Sequence, residues 1–152
     1  MIKSNPLLDE VFLQDLYSHR HKEIYARIIA LDKDENAIEQ IEGQVTGGSV
    51  SLDGSSNVRR SCSLTMVAHD IDINAYYWGF KNKFKLYIGL SNHIDKKYDD
   101  IIWFPFGTMV ITNFSTSQST GGYNISISGK DKMCLLNGDV GGVFNAETDI
   151  GT

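Results

Sequence analysis

From Val58 to Val67, Cys62, Leu64 and Met66 alternate with Ser61, Ser63 and Thr65, the period of two that a strand with one buried face imposes. Phe84, Leu86, Ile88 and Leu90 share one face in the same way, and Tyr123, Ile125 and Ile127 alternate with Asn124, Ser126 and Ser128. Three such segments predict a β fold. Ile24–Leu31 is a β-branched run that stops at the polar turn Asp32-Lys33-Asp34-Glu35-Asn36, so Ala37–Glu42 is its returning hairpin partner. Gly43–Gly54 and Ile101–Phe114 read as longer strands in which glycine or proline marks a bend or bulge. Asp53-Gly54 and Gly121-Gly122 are turn signals.

The period differs only at the start. Asn5-Pro6 offers a cap and a first-turn proline, and Leu8, Val11, Phe12, Leu16 and Tyr17 follow at helical spacing. This predicts one short amphipathic helix over residues 6–19. No repeat or linker divides the 152 residues, so the expectation is a single mainly β domain over 1–152. Residues 1–22 form an N-terminal arm and helix, and 138–152 an extended C-terminal segment.

Composition narrows the function classes. A chain of this length buries enough surface for one core without staples, and 41% hydrophobic against 22% charged residues is ordinary for a folded protein. The net charge of -5 argues against a phosphate-binding surface, so specific nucleic-acid binding is not expected. Cys62 and Cys134 belong to no C-x-x-C pair and read as small apolar core residues. The first residues lack a signal-peptide pattern and no apolar run is long enough to span a membrane, so the expected chain is soluble, made in the cytoplasm and not membrane-inserted.

Catalytic and metal chemistry find little support. Asp32-x-Asp34-x-Asn36 and Asp70-x-Asp72-x-Asn74 imitate the opening of a calcium loop, but Ala37 and Ala75 stand where glycine is needed, and Gly43 and Lys81 where a bidentate glutamate is needed. Solvated turns are the reading. His19, His21, His69 and His93 have no ligand partners at metal-site spacing. There is no G-x-S-x-G, and Gly47-Gly48 and Gly138–Gly142 lack the spacing and lysine of a phosphate cradle. The expectation is a protein that is not an enzyme and needs no metal or cofactor.

Two features stand apart. Tyr76-Tyr77-Trp78-Gly79-Phe80 gathers four aromatics in five residues, and Trp103-Phe104-Pro105-Phe106 adds more. Such residues serve as interface anchors, as a stacking platform for sugar rings, or as a core corner. A carbohydrate-binding β-sandwich module using Tyr76, Tyr77, Trp78 and Trp103 is therefore one functional reading. Arg59-Arg60 opens a strand, and Arg60 shares parity with Cys62 and Leu64, which places it at a sheet rim or beside a carboxylate.

In order along the chain stand Gly47-Gly-Ser-Val-Ser-Leu-Asp-Gly-Ser55, Val58-Arg-Arg-Ser-Cys-Ser-Leu-Thr65, Phe84-Lys-Leu-Tyr-Ile-Gly-Leu90, Trp103-Phe-Pro-Phe-Gly-Thr108 and Ser128-Gly-Lys-Asp-Lys-Met-Cys-Leu-Leu-Asn-Gly138. This set resembles the N-terminal part of baseplate hub and tail-tube-like structural proteins of bacteriophages that infect Gram-positive bacteria, over residues 24–142. The resemblance implies a split β-barrel or sandwich of tail-tube type and a homo-oligomeric ring at the junction of tail tube and baseplate. Its partners would be other tail or baseplate proteins and its place the virion. Tyr76, Tyr77, Trp78, Phe80, Arg59 and Arg60 are then the candidate assembly-interface residues. Proteins of that kind run on into further domains, and 138–152 is where a longer protein would continue.

Overall fold

The computed structural model describes residues 10–18, 22–69, 78–80, 82–91 and 101–136. Helix α1 (Glu10–Ser18) precedes six strands: β1 (Ile24–Leu31), β2 (Ala37–Leu52), β3 (Arg60–Ala68), β4 (Lys83–Ser91), β5 (Ile101–Ser119) and β6 (Gly122–Asp131). A 3-10 helix, Lys132–Leu135, follows. The mainly β fold with a short N-terminal helix is thus as expected, although the cap at Asn5-Pro6 lies outside the described residues. None of the described helices is long and apolar enough to cross a membrane.

All pairings are antiparallel and the order β1-β2-β3-β6-β5-β4 closes into a barrel. The barrel is built as two layers, because β2 and β5 each serve both. Residues 37–44 of β2 pair with β1, and residues 44–52 pair with β3. Residues 101–110 of β5 pair with β4, and residues 109–119 pair with β6. One layer is therefore β2(37–44)-β1-β4-β5(101–110), called layer A below. The other, layer B, is β2(44–52)-β3-β6-β5(109–119). Strands that switch layers through bends and bulges are the corner device of packed sheets.

The bulges fall where the chain turns these corners. Thr46 is the extra residue between the pairs Val45–Met66 and Gly47–Thr65, and Thr112 is the extra residue between Ile111–Gly129 and Asn113–Ser128. Phe106, flanked by Pro105 and Gly107, is the extra residue opposite Leu86–Tyr87. Just before the β2 corner, Gly43 lies so close to β3 that a Cβ there would collide with the Val67 carbonyl. The expected strands Ala37–Glu42 and Gly43–Gly54 are consequently one continuous strand.

Between the layers lies one core. Ala26, Ile28 and Ala30 of β1, Leu64 and Met66 of β3, Phe84 and Leu86 of β4, Met109 and Ile111 of β5, and Ile125 and Ile127 of β6 are buried in it. On β3, β4 and β6 these are residues the alternation placed on inner faces, whereas those of β1 and β5 are assigned by the structure. Cys62 joins this core, while Cys134 on the 3-10 helix covers Val110 in a small separate cluster. Both cysteines are buried and neither is in a disulfide, and burial pushes the Cys62 thiol up from its usual 9.0 to about 11.

Candidate functional site

The residues singled out in the sequence do not converge on one point. Tyr76 and Tyr77 lie outside the described residues. Trp78, read as an anchor candidate, is corrected to a core residue: it is 3% exposed and stacks on Phe114, with ring centroids 5.3 Å apart. An indole has too much apolar area to leave in water beside an open core. Phe80, two residues on, is 58% exposed.

Trp103 stands elsewhere. It pairs with Gly89 on the outer face of layer A, and a Cβ at position 89 would strike its ring. The Arg27 guanidinium lies 4.2 Å from the Trp103 ring centroid and donates to Glu42 at 2.6 Å. One ring face of Trp103 is thus already engaged by Arg27. Among the described residues, Trp78 and Trp103 point to opposite sides of layer A and make no common platform.

Arg59 and Arg60 mark a rim, as expected for the start of β3. Their backbone N–H groups donate to one Asp131 carboxylate oxygen at 2.8 and 3.0 Å, and the other oxygen accepts from the Met133 N–H. Asp131 therefore ties β3, β6 and the 3-10 helix together and caps that helix. The Arg60 guanidinium donates to the Phe106 carbonyl at 2.8 Å, beside Gly107, where the backbone has φ +133 and a Cβ would collide with Arg60. Arg60 closes the end of the barrel by satisfying a carbonyl at the β5 bulge.

The calcium-like turn Asp32–Asn36 is an ordinary side-chain-stabilised turn. Asp32 accepts from the N–H groups of Asp34 and Asn36 and from the Asn36 amide, and these bonds hold its carboxyl below the usual range. Glu35, at φ 67, pairs with Lys83 and Lys132, whose ammonium groups likewise lower its carboxyl. The second such stretch, Asp70–Asn74, lies outside the described residues. Among the described residues there is no group of three or more His, Cys, Asp or Glu side chains that could hold a metal.

What the sequence reading did not single out is the contrast between the two layers. The outer face of layer B is mostly a lattice of short hydroxyls and amides, with Val67 and Lys130 towards its two ends. Ser49, Ser63, Ser128 and Asn113 form one row, with Thr65, Ser126 and Ser115 in the next. Ser128 donates to Ser63 at 3.3 Å, and the Thr65 and Ser126 hydroxyls are 3.2 Å apart.

The layer margins differ as well. Among the described residues, β2 from Val45 to Leu52 pairs only with β3, and β5 from Asn113 to Ser119 pairs mainly with β6, leaving one edge of each open. Neither stretch, VTGGSVSL or NFSTSQS, contains a charge or a proline. In layer A the margins carry Glu39 and Glu42 on β2 and Pro105 on β5. Charges and proline are what guard an edge strand against further pairing. Comparison of the chain with protein-family models, with curated proteins and with solved structures finds no match.

Proposed function

We propose that this protein is a structural subunit of a phage tail or baseplate that assembles into a ring by continuing layer B from one copy to the next. The observation that carries the reading is the pair of unguarded edges, β2(45–52) and β5(113–119), on opposite margins of one layer whose other strands are fully paired.

The strand directions permit it. Successive strands across layer B alternate, so the β5 edge of one copy runs antiparallel to the β2 edge of the next. The contact is head to tail and joins unlike surfaces, the geometry that closes into rings. Each copy adds four strands to a common sheet, and the open N–H and C=O groups of both edges find partners. Because only layer B meets its neighbours, layer A stands at larger radius and the hydroxyl face of layer B lines the bore. A wall of serine, threonine and asparagine has no rows of lysine or arginine to hold a passing polyanion by its phosphates. The resemblance to baseplate hub and tail-tube-like proteins supports the same reading.

The test is the mass of the purified chain by light scattering across a wide concentration range, with negative-stain images of the large fractions. Rings or stacked tubes are expected. Ser51→Lys on β2 together with Ser117→Lys on β5 is expected to leave the circular dichroism spectrum unchanged and abolish assembly. A wild-type chain that stays monomeric at every concentration overturns the proposal.

A further inference from the structure

The end of β2 runs past the cover that its own barrel provides. Val50 pairs with Cys62 and Leu52 with Arg60, so both stand on the core-facing side of layer B. Yet Val50 is 37% exposed and Leu52 is 70% exposed, while Cys62, the partner of Val50, is 5% exposed. The own-chain core ends at Arg60, whose guanidinium turns to the Phe106 carbonyl. One strand further out, Leu52 stands largely uncovered and Val50 partly so. An inward-facing apolar pair at an open sheet margin is an unfinished piece of core.

We infer that Val50 and Leu52 are core residues of the interface between copies, packed against the core-facing side of the neighbouring copy's β5. This rests on the ring reading and deepens it, because that reading needs only backbone pairing along the edges. Three observations favour a second copy as the occupant. The residues lie on the unguarded edge itself. The strand that would join them, Asn113–Ser119, is uncharged and carries the half-buried Phe114 and Thr116 on its core-facing side, opposite Ile127 and Ile125. Continuing layer B also aligns inner face with inner face, since antiparallel neighbours in one sheet share their faces. Leu52 and Val50 then extend the row that begins at Phe114 in the next copy.

The experiment compares wild type with Leu52→Asp, Val50→Asp and the control Ile38→Asp, which alters a 40%-exposed apolar residue on the layer A part of the same strand. Sedimentation velocity reads assembly, and circular dichroism with thermal melting reads the fold of the monomer. Leu52→Asp is expected to need about tenfold or more higher concentration for half assembly, with melting unchanged, and Val50→Asp shows the same shift with a lower melting temperature, because that side chain is already partly covered, while Ile38→Asp assembles as wild type does. If wild type assembles and Leu52→Asp assembles at the same concentration, the apolar contact is overturned while the edge-paired ring stands. If wild type never assembles, both fail. A second readout is a Leu52→Cys chain labelled with an environment-sensitive thiol dye, selective because Cys62 and Cys134 are buried. Its emission should shift to the blue on assembly, and an unshifted emission in assembled material overturns the inference.

Discussion

Layers A and B share a core and two corner strands, yet their outer surfaces are built from different chemistry. Layer A turns Arg27, Glu42, Tyr25, Tyr87 and Trp103 outward, large side chains that fasten to one another across strands, as the Arg27 contacts to Glu42 and Trp103 do. Layer B turns out serine, threonine and asparagine, which add little packing to the sheet that carries them. The inner faces differ far less, because both supply apolar side chains to one core. Burial constrains the inside of a barrel, whereas the outside is left open to what the surface must meet. A margin marked by charges and proline resists further pairing, whereas a bare margin of small residues leaves its backbone groups open to it, which is what the proposed ring requires.

The contrast can be broken at the corner that both layers share. Gly43→Val drives a side chain into the Val67 carbonyl on β3, where backbone cannot step aside. The expected loss is about 3 kcal/mol or more, with both layers unfolding together in urea. Hydrogen exchange that showed layer A still protected after layer B had opened would sink the idea of one shared core.

A second experiment probes the core of layer B through pH. The buried Cys62 thiol titrates in the folded chain at about 11 against its usual 9.0. The unfolded chain therefore releases this proton first as pH rises, and the contribution of the neutral thiol is complete below pH 9 and is lost between about pH 9 and 11. The shift corresponds to roughly 2–3 kcal/mol. Urea unfolding at pH 8 and pH 10.5 should show a steeper loss for wild type than for Cys62→Ala, and parallel curves would remove Cys62 from the account.

The smallest effects sharpen the comparison of outer faces. Arg27→Ala in layer A loses the ion pair and the ring contact together, a cost of roughly 1 kcal/mol. Ser63→Ala in layer B loses a 3.3 Å hydroxyl contact to Ser128 and should stay within about 0.5 kcal/mol of wild type. Equal costs in denaturant titrations would mean that the hydroxyl lattice stabilises its own layer after all.

How much of this was legible in the sequence depends on the segment. The inner faces of β3, β4 and β6 were readable because alternation is a local pattern that a one-sided burial writes into neighbouring residues. The unity of β2 was not, since the chain divides at Gly43 into two readable strands until β1 and β3 take up their hydrogen bonds on opposite sides. The last part of β5, Ser115–Ser119, has no apolar alternation and is a strand because β6 offers a ladder. Trp78 sits in an aromatic run with no period, so only its stacking on Phe114, far along the chain, turns it inward. Arg60 was placed at a rim by parity, but its acceptor at Phe106 is 46 residues away.

The sequence by itself therefore determined the class of fold, the inner faces of β3, β4 and β6, an interruption within Ile101–Phe114 and the inward place of Cys62. Only the tertiary structure decided which strands turn corners, which margins remain bare and that Val50 and Leu52 stand outside the core their parity points to. The reason is physical. Side-chain alternation is fixed residue by residue along one strand, whereas an edge is defined by the absence of a neighbour, and neighbours are chosen by contacts between residues distant in the chain.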